Sequence, residues 1–532
     1  MYLFATIIGA KEKMLQMKND EKLVLAVDFG TQSLRVSIVN QKGEIKAIIK
    51  NKYNDAYFSS EPGFAEQDVN YYWMELCDAT SKLKDTHPEL LSKVLAMSVT
   101  TFRDSPVFLD ENFNQTRPMV LWLDQRQATL KKKLPFIKSL LFSIVGMTET
   151  VHLNMKRTPA IWVQEHEMEI WEKTKYYVNF STYINYKLLG KLIDSVANQT
   201  GHFPIHFKKG KWYKDRALKN IFQIPNSKLA TIVKQGTIMG YIDEKVSAET
   251  GIPVGVPLIA AGTDKGSEAL GTGAYRRDIA SISYGTASSI AVANKKYIEP
   301  ELFLPAYSAP VSGLYHMEVQ IYRGYWTVGW FIRQFGSDET LEARIEDLAT
   351  EEVLNKKMLE IPPGSQGLVL QPYWGPGLKR PEARGAIVGF SDFHTRIHIY
   401  RAIIEGIAFG LKEGLLTIEK RQHKKVKEIR VSGGGSQSDA ICQITADIFG
   451  IPVKRTQTYE TATIGTALVT FYYLGEFASL EEATKKMVHI EKTFYPDPKN
   501  HKKYKEIYKD VYAKLYPKLK GVYKKLRKHK WR

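Results

Sequence analysis

The feature that most constrains this chain is a motif occurring twice: an apolar run that enters a glycine turn and returns as a second strand. Residues Leu23 to Val39 read as a hairpin, because LVLAVDF ends at Gly30 and LRVSIVN then alternates as a strand does. Gln41-Lys42-Gly43 supplies the next turn. A helix is expected around Val69 to Leu83, then strands near Val94 to Thr100 and Ser105 to Leu109, an alternation typical of α/β architecture. VPLIAAGTD adds a strand before a Gly- and Ala-rich segment at Asp264. After about Ala274 the pattern restarts, with Ile279 to Ile282 and Ser288 to Ala293 flanking Tyr284-Gly285-Thr286. A long amphipathic helix (His398 to Glu419), a buried strand (Val426 to Val431) and, after a triple glycine, a helix from Ser438 to Phe449 complete it. A chain of 532 residues exceeds what one core usually holds, so two similar halves joined near 270 to 280 are expected.

Composition excludes several classes. Hydrophobic residues at 44% and charged residues at 25% leave no sign of bulk disorder. Cys77 and Cys442 alone cannot make a disulfide framework and suit a reducing cytosol. Met1 to Ala10 is apolar, but no basic segment precedes it and it is too short to span a bilayer. No export signal is read there, Met14 or Met17 could equally be the start, and a cytoplasmic location is expected. The formal charge of +18 is concentrated: thirteen Lys/Arg from Lys502 to Arg532 face only Glu506 and Asp510, which places +11 there. With Tyr504, Tyr508, Tyr512, Leu515 and Leu519 at helical spacing, that segment reads as a basic amphipathic helix; contact with an anionic surface is the sharper alternative.

Glycine turns come after strands at Asp28-Phe29-Gly30-Thr31-Gln32-Ser33, at Ser283-Tyr284-Gly285-Thr286 and at Ser432-Gly433-Gly434-Gly435-Ser436-Gln437-Ser438. Glycine lets backbone N–H groups approach phosphate oxygens, and neighbouring hydroxyls add donors. Each taken singly is equally an ordinary tight turn. The chain lacks GxxxxGK[ST], GxGxxG after a strand, and the HRD and DFG pair, so P-loop, dinucleotide and protein-kinase readings lose their support.

Taken together, VLAVDFGTQSLRVSIVNQKGEI, PGFAEQDVNYYW, RPMVLWLDQR, INYKLLGKLIDSVANQTG, AAGTDKGSEALGTGA, ISYGTASSI, RGAIVGF with HIYRAIIEGIAFGLKEG, and IRVSGGGSQSDAICQITADIFGIPV resemble the FGGY carbohydrate kinase family over about residues 23 to 490. The resemblance implies an α/β fold of two actin-like, ribonuclease H-like domains. Each has a mixed central sheet flanked by helices, with nucleotide in the cleft between them. It divides the chain into an N-terminal extension (1–21), a sugar-binding domain with the catalytic aspartate (22–275), a nucleotide-binding domain (276–500) and a basic tail (501–532). The activity implied is phosphorylation of a small sugar or polyol hydroxyl, with ATP and Mg²⁺ as cofactors and a homodimer as the assembly.

Carried over by position, Asp28 resembles the acidic residue that holds Mg²⁺, usually through water. Gly30, Thr31, Gln32 and Ser33 resemble the first phosphate loop, with Arg35 organising it. Gly285 and Thr286 resemble the second phosphate loop, and Gly434, Gly435, Gln437 and Ser438 the adenosine site. Asp264 matches the catalytic aspartate, which orients the attacking hydroxyl, accepts its proton, contacts the substrate and stands near the metal. An N-cap of the helix beginning KGSEALG is its structural alternative, compatible with that role. Arg103 and Asp104 resemble a pair that grips vicinal hydroxyls, with Trp122, Asp124 and Arg126 as wall and frame. A surface ion pair and ordinary core packing are the alternatives for Arg103-Asp104 and for Trp122. Departures are Lys265 after the catalytic aspartate, Pro159 in place of Lys, Asn154 in place of Tyr, and Asp104 in place of Glu, which together argue against glycerol. His398 and Glu405 are seven apart and no metal is assigned to them. Two rival readings remain open: a catalytically weak ligand sensor on the same fold, and a tail that binds nucleic acid or membrane, of which nucleic acid is the less favoured.

Overall fold

The computed structural model describes residues 21–529 except 133, 303, 376, 378–379 and 381. Of the N-terminal extension only Glu21 falls among them, and residues 530–532 of the tail, Arg532 included, lie outside. The described chain divides into two compact units, 21–271 with Tyr307–Leu314 and Ala462–Val488, and Thr272–Ala306 with Tyr315–Thr461 and 489–529.

The first unit is built on a sheet of β1 (Leu23–Phe29), β2 (Ser33–Asn40), β3 (Ile45–Lys52), β4 (Val94–Thr101), β5 (Ile238–Tyr241) and β6 (Pro257–Ile259), with α1 (Val69–Thr86) among its helices and α2 (Asp264–Gly271) after β6. The order is β5-β6-β4-β1-β2-β3. β1 runs parallel to β4, and β4 to β6, while β1–β2, β2–β3 and β5–β6 are antiparallel. Every residue of β1 is buried, as a central strand covered on both faces requires. Leu23, Leu25, Val27 and Phe29 join the core of α1 on one face. On the other, Val24 and Ala26 meet Ile464, Leu468 and Phe471 of the helix Thr461–Tyr473. That packing is why 462–488 belongs to the first unit, against the expectation that 276–500 forms one domain.

The second unit repeats the plan. Its sheet contains β7 (Ile279–Tyr284), β8 (Ser288–Asn294), β9 (Tyr315–Ile321), β10 (Glu428–Ser432), β11 (Val453–Thr456) and β12 (Ile490–Phe494), with helices α3 (Trp326–Phe335), α4 (Arg396–Gln422) and α5 (Asp439–Phe449). Six of its seven strands run in the order β12-β11-β10-β7-β8-β9. β7 is parallel to β10, and β10 to β11, while β7–β8, β8–β9 and β11–β12 are antiparallel. These six strands match the first sheet one for one.

The basic C-terminal segment packs on the second unit instead of forming a region apart. Tyr504 and Tyr512 are buried in its core, and the Tyr504 hydroxyl donates to Glu405 at 2.7 Å. The segment is not one regular helix: a π turn at Tyr508–Tyr512 separates Pro498–Ile507 from Ala513–Lys528. Pro517 lies inside the last helix without an N–H to give the Ala513 carbonyl. No helix among the described residues is long and apolar enough to cross a membrane.

Candidate active site

In open α/β sheets, ligands gather where parallel strands end and their loops diverge. In the first unit β1, β4 and β6 are adjacent. Their C-terminal ends release the Gly30 loop, Arg103-Asp104 and the segment leading to Asp264 side by side. Two bonds tie these exits together: the Phe102 N–H donates to the Phe29 carbonyl at 2.9 Å, and the Thr100 hydroxyl to the Gly262 carbonyl at 2.8 Å.

The antiparallel register places Asp28 opposite Arg35, and the guanidinium stands 3.4 Å from the Asp28 carboxylate. The Gly30 N–H closes the turn on the Ser33 carbonyl at 3.0 Å, and Tyr53 N–H holds the Gln32 carbonyl at 3.0 Å. The Trp122 indole N–H donates to the Thr31 hydroxyl at 3.1 Å. Trp122 therefore buttresses the first glycine turn, which is more than core packing.

Asp264 opens α2, but it does not cap it. The Thr263 hydroxyl accepts the Gly266 N–H at 3.3 Å, whereas the Asp264 carboxylate takes only its neighbour's N–H, from Lys265 at 2.7 Å. Burial raises the Asp264 carboxyl above its ordinary value, and the Lys265 and Arg103 charges pull it back down. Burial also works against the Lys265 ammonium, but Glu268, 2.8 Å away, and Asp264 raise it, so it stays charged. Asp264 is therefore buried beside two cations, which oppose the effect of its burial. A divalent ion there would add to the positive charge of Lys265 and Arg103. Asp28, a carboxylate beside a turn rich in N–H and hydroxyl donors, fits an Mg²⁺ held mostly by phosphates and water. Among the described residues no group of three or more His, Cys, Asp or Glu is gathered to hold a metal.

Arg103 lies over the Tyr307 ring, 5.3 Å from its centre. Asp104 pairs with a residue that sequence reasoning missed, His202, whose Nδ1 is 2.8 Å from the carboxylate. Asp124 does not have the accessible oxygen expected of a sugar contact. It accepts the Ala65 N–H at 2.7 Å and, from Arg126, the backbone N–H at 2.9 Å, Nε at 2.8 Å and Nη2 at 2.7 Å. Four donors fill a carboxylate, so Asp124 serves as frame, with the Arg126 guanidinium over the rings of Phe64 and Trp162. Two departures have local reasons: Pro159 occupies the first turn of a helix, where its missing N–H costs nothing, and Asn154 bonds to the Thr150 carbonyl of its own helix.

In the second unit β7 and β10 end side by side, Ser283 opposite Ser432, and release the remaining glycine turns. The Gly285 and Thr286 carbonyls accept the N–H groups of Tyr325 and Trp326 at the start of α3. Gly433 has φ +77°, and a Cβ there would come 2.8 Å from the Tyr284 carbonyl oxygen; one at Gly435 would come 2.5 Å from the Tyr325 ring. Gly434 meets nothing within 4 Å, so this turn exposes bare backbone. Ser438 caps α5 by accepting the Ile441 N–H, and the Gln437 carbonyl is held by Arg455 at 3.1 Å.

Sequence models of the FGGY family of carbohydrate kinases match the chain, the N-terminal domain over residues 23–271 and the C-terminal domain over 280–474. The uncharacterized sugar kinase YgcE of Escherichia coli is 27% identical across 96% of this chain and 94% of its own. A xylulose kinase of Lactococcus lactis is 26% identical across 91% and 94%. The solved xylulose kinase of Rhodospirillum rubrum shares the fold at TM-score 0.79 and 24% identity, covering 94% of this chain and 100% of that one. The chain thus belongs to the FGGY family of carbohydrate kinases, enzymes that use ATP to phosphorylate a hydroxyl of a sugar or polyol.

Proposed function

We propose that the acceptor is an uncharged ketose or polyol, that it binds the first unit beside Arg103, Asp104 and Trp122, and that Asp264 removes the proton of its attacking hydroxyl. The observation that carries this reading is the charge pattern at the ends of β4 and β6. Among the described residues at these ends, Arg103 and Lys265 stand against Asp264, Glu268 and Asp104, which leaves no surplus cation for an acidic sugar. Xylulose kinases and a gluconokinase are both among the relatives, and this balance favours the neutral class.

Phosphoryl transfer asks a protein mainly for alignment and charge neutralisation. Gly30, Thr31, Gln32 and Ser33 offer donors to the phosphates, and Arg35 holds their turn through Asp28. Gly285 and Thr286 offer a second cradle, and Gly434, Gly435, Gln437 and Ser438 accommodate the adenosine. Asp28 would hold Mg²⁺, which would supply positive charge to the phosphate oxygens. Ionised Asp264 accepts the hydroxyl proton as the oxygen bonds to phosphorus and the bond to the ADP oxygen breaks. A screen of acceptor-dependent ADP release over ketoses, polyols and aldonates tests the substrate class. Turnover of neutral acceptors with aldonates inert is expected, and preference for an aldonate would overturn it. The activity is assigned to the cytoplasm.

A further inference from the structure

Asp104 is held in an unusual way. Its backbone sits at φ +56°, a left-handed conformation rare outside glycine. Its Oδ1 accepts the His202 N–H at 2.9 Å, and the His202 ring nitrogen Nδ1 lies 3.0 Å from Oδ1 and 2.8 Å from Oδ2. An ionised carboxylate only accepts, so Nδ1 carries the hydrogen. Gly201 fits against the same side chain, for a Cβ there would lie 2.1 Å from the Asp104 carboxylate carbon.

The loop that delivers His202 is itself fixed. The buried Asp194 carboxylate takes donors from Ser181, Thr182, Asn185, Ser195, Asn198 and Gln199. His202 also meets the edge of Phe222, ring centres 6.0 Å apart. A well-anchored histidine thus immobilises a strained carboxylate at the end of β4. Yet the side chains of His202 and Asp104 remain 17% and 25% exposed, and Oδ2 takes a single protein donor, leaving a lone pair to offer.

We infer that His202 is a positioning residue for acceptor recognition: it locks Asp104 so that Oδ2 reads one particular hydroxyl of the sugar. The inference rests on the reading of Arg103, Asp104 and Asp264 as the acceptor site. A rigid carboxylate whose remaining lone pair finds no hydroxyl loses a charge-assisted hydrogen bond that it cannot remake elsewhere, so such a lock discriminates against a deoxy analogue. Loosened, the same carboxylate turns away and discriminates poorly.

Steady-state kinetics with the acceptor and its deoxy analogues tests this. His202→Ala is expected to raise the acceptor KM about tenfold or more and to narrow the preference over the deoxy analogue, with the ATP KM within about twofold. His202→Asn, whose amide nitrogen sits near the Nδ1 position, restores most of the affinity, whereas His202→Gln does not. This Asn and Gln pair decides the matter if the alanine variant fails to fold. Unchanged acceptor kinetics, or losses shared equally by both substrates without recovery by Asn, would overturn the inference. A crystal structure of His202→Ala or His202→Gln decides independently of any acceptor: Asp104 should leave its left-handed conformation, and an unmoved carboxylate sinks the idea. If the wild-type enzyme phosphorylates no sugar, the acceptor-site reading fails, while the crystal result still judges the lock.

Discussion

Six strands in each of the two large sheets share one order and one pattern of parallel and antiparallel neighbours, yet the ends of those strands carry opposite chemistries. Where β1, β4 and β6 end, the first unit displays charged side chains: Asp28, Arg103, Asp104, Asp264 and Lys265. Where β7 and β10 end, the second displays glycine: Gly285, Gly433, Gly434 and Gly435. On the proposed reading, the same scaffold does two jobs by changing the residues at the exit of each strand. A reacting hydroxyl needs a fixed base and fixed partners, which side chains supply. A nucleotide is held over a broad surface by backbone, which side chains would obstruct.

If that contrast is right, damage at each end should be selective. Arg103→Ala in the first unit removes a cation beside Asp264 and a fork suited to hydroxyls. Its acceptor kcat/KM is expected to fall about a hundredfold, as loss of a charged hydrogen bond implies, with the ATP KM little changed. Gly433→Ala in the second unit should do the reverse. A Cβ at φ +77° against the Tyr284 carbonyl is strained, so the ATP KM should rise about tenfold, with roughly 1–2 kcal/mol lost in urea unfolding and the acceptor KM preserved. Variants that impair both substrates equally would erase the distinction.

The smallest effect concerns pH. Asp264 works as a base only when ionised, and burial raises its carboxyl. Activity should therefore fall as pH drops through a value above the ordinary aspartate pKa of about 3.9. Lys265 is the larger of the two charges that hold that carboxyl down, so Lys265→Met should move the acid limb of the kcat/KM profile to higher pH. A limb that stays still or moves down would show that Lys265 does not tune the base.

Much of this is readable in the sequence because it is local. The period-two pattern of 23–39 and its recurrence at 279–293 mark hairpins whose turns need no distant partner to form. The features that sequence alone does not reveal depend on chain far away. Asp124 has the look of an available carboxylate, but the Ala65 N–H and Arg126 occupy its oxygens. Thr263 and Asp264 are both good capping residues, and only the direction of the first helical amides decides between them. Residues 462–488 carry no compositional mark of the first unit; they belong there because Ile464 and Leu468 face Val24 and Ala26. His202 lies 98 positions from Asp104, and nothing short of the folded chain pairs them.

The central claim, that Asp264 is the base of a sugar phosphorylation, is tested most directly by acceptor-dependent ADP release of Asp264→Ala beside a calorimetric measurement of its nucleotide affinity. The account predicts a kcat about a thousandfold lower with ATP binding retained. Turnover near the wild-type rate in that variant would contradict it.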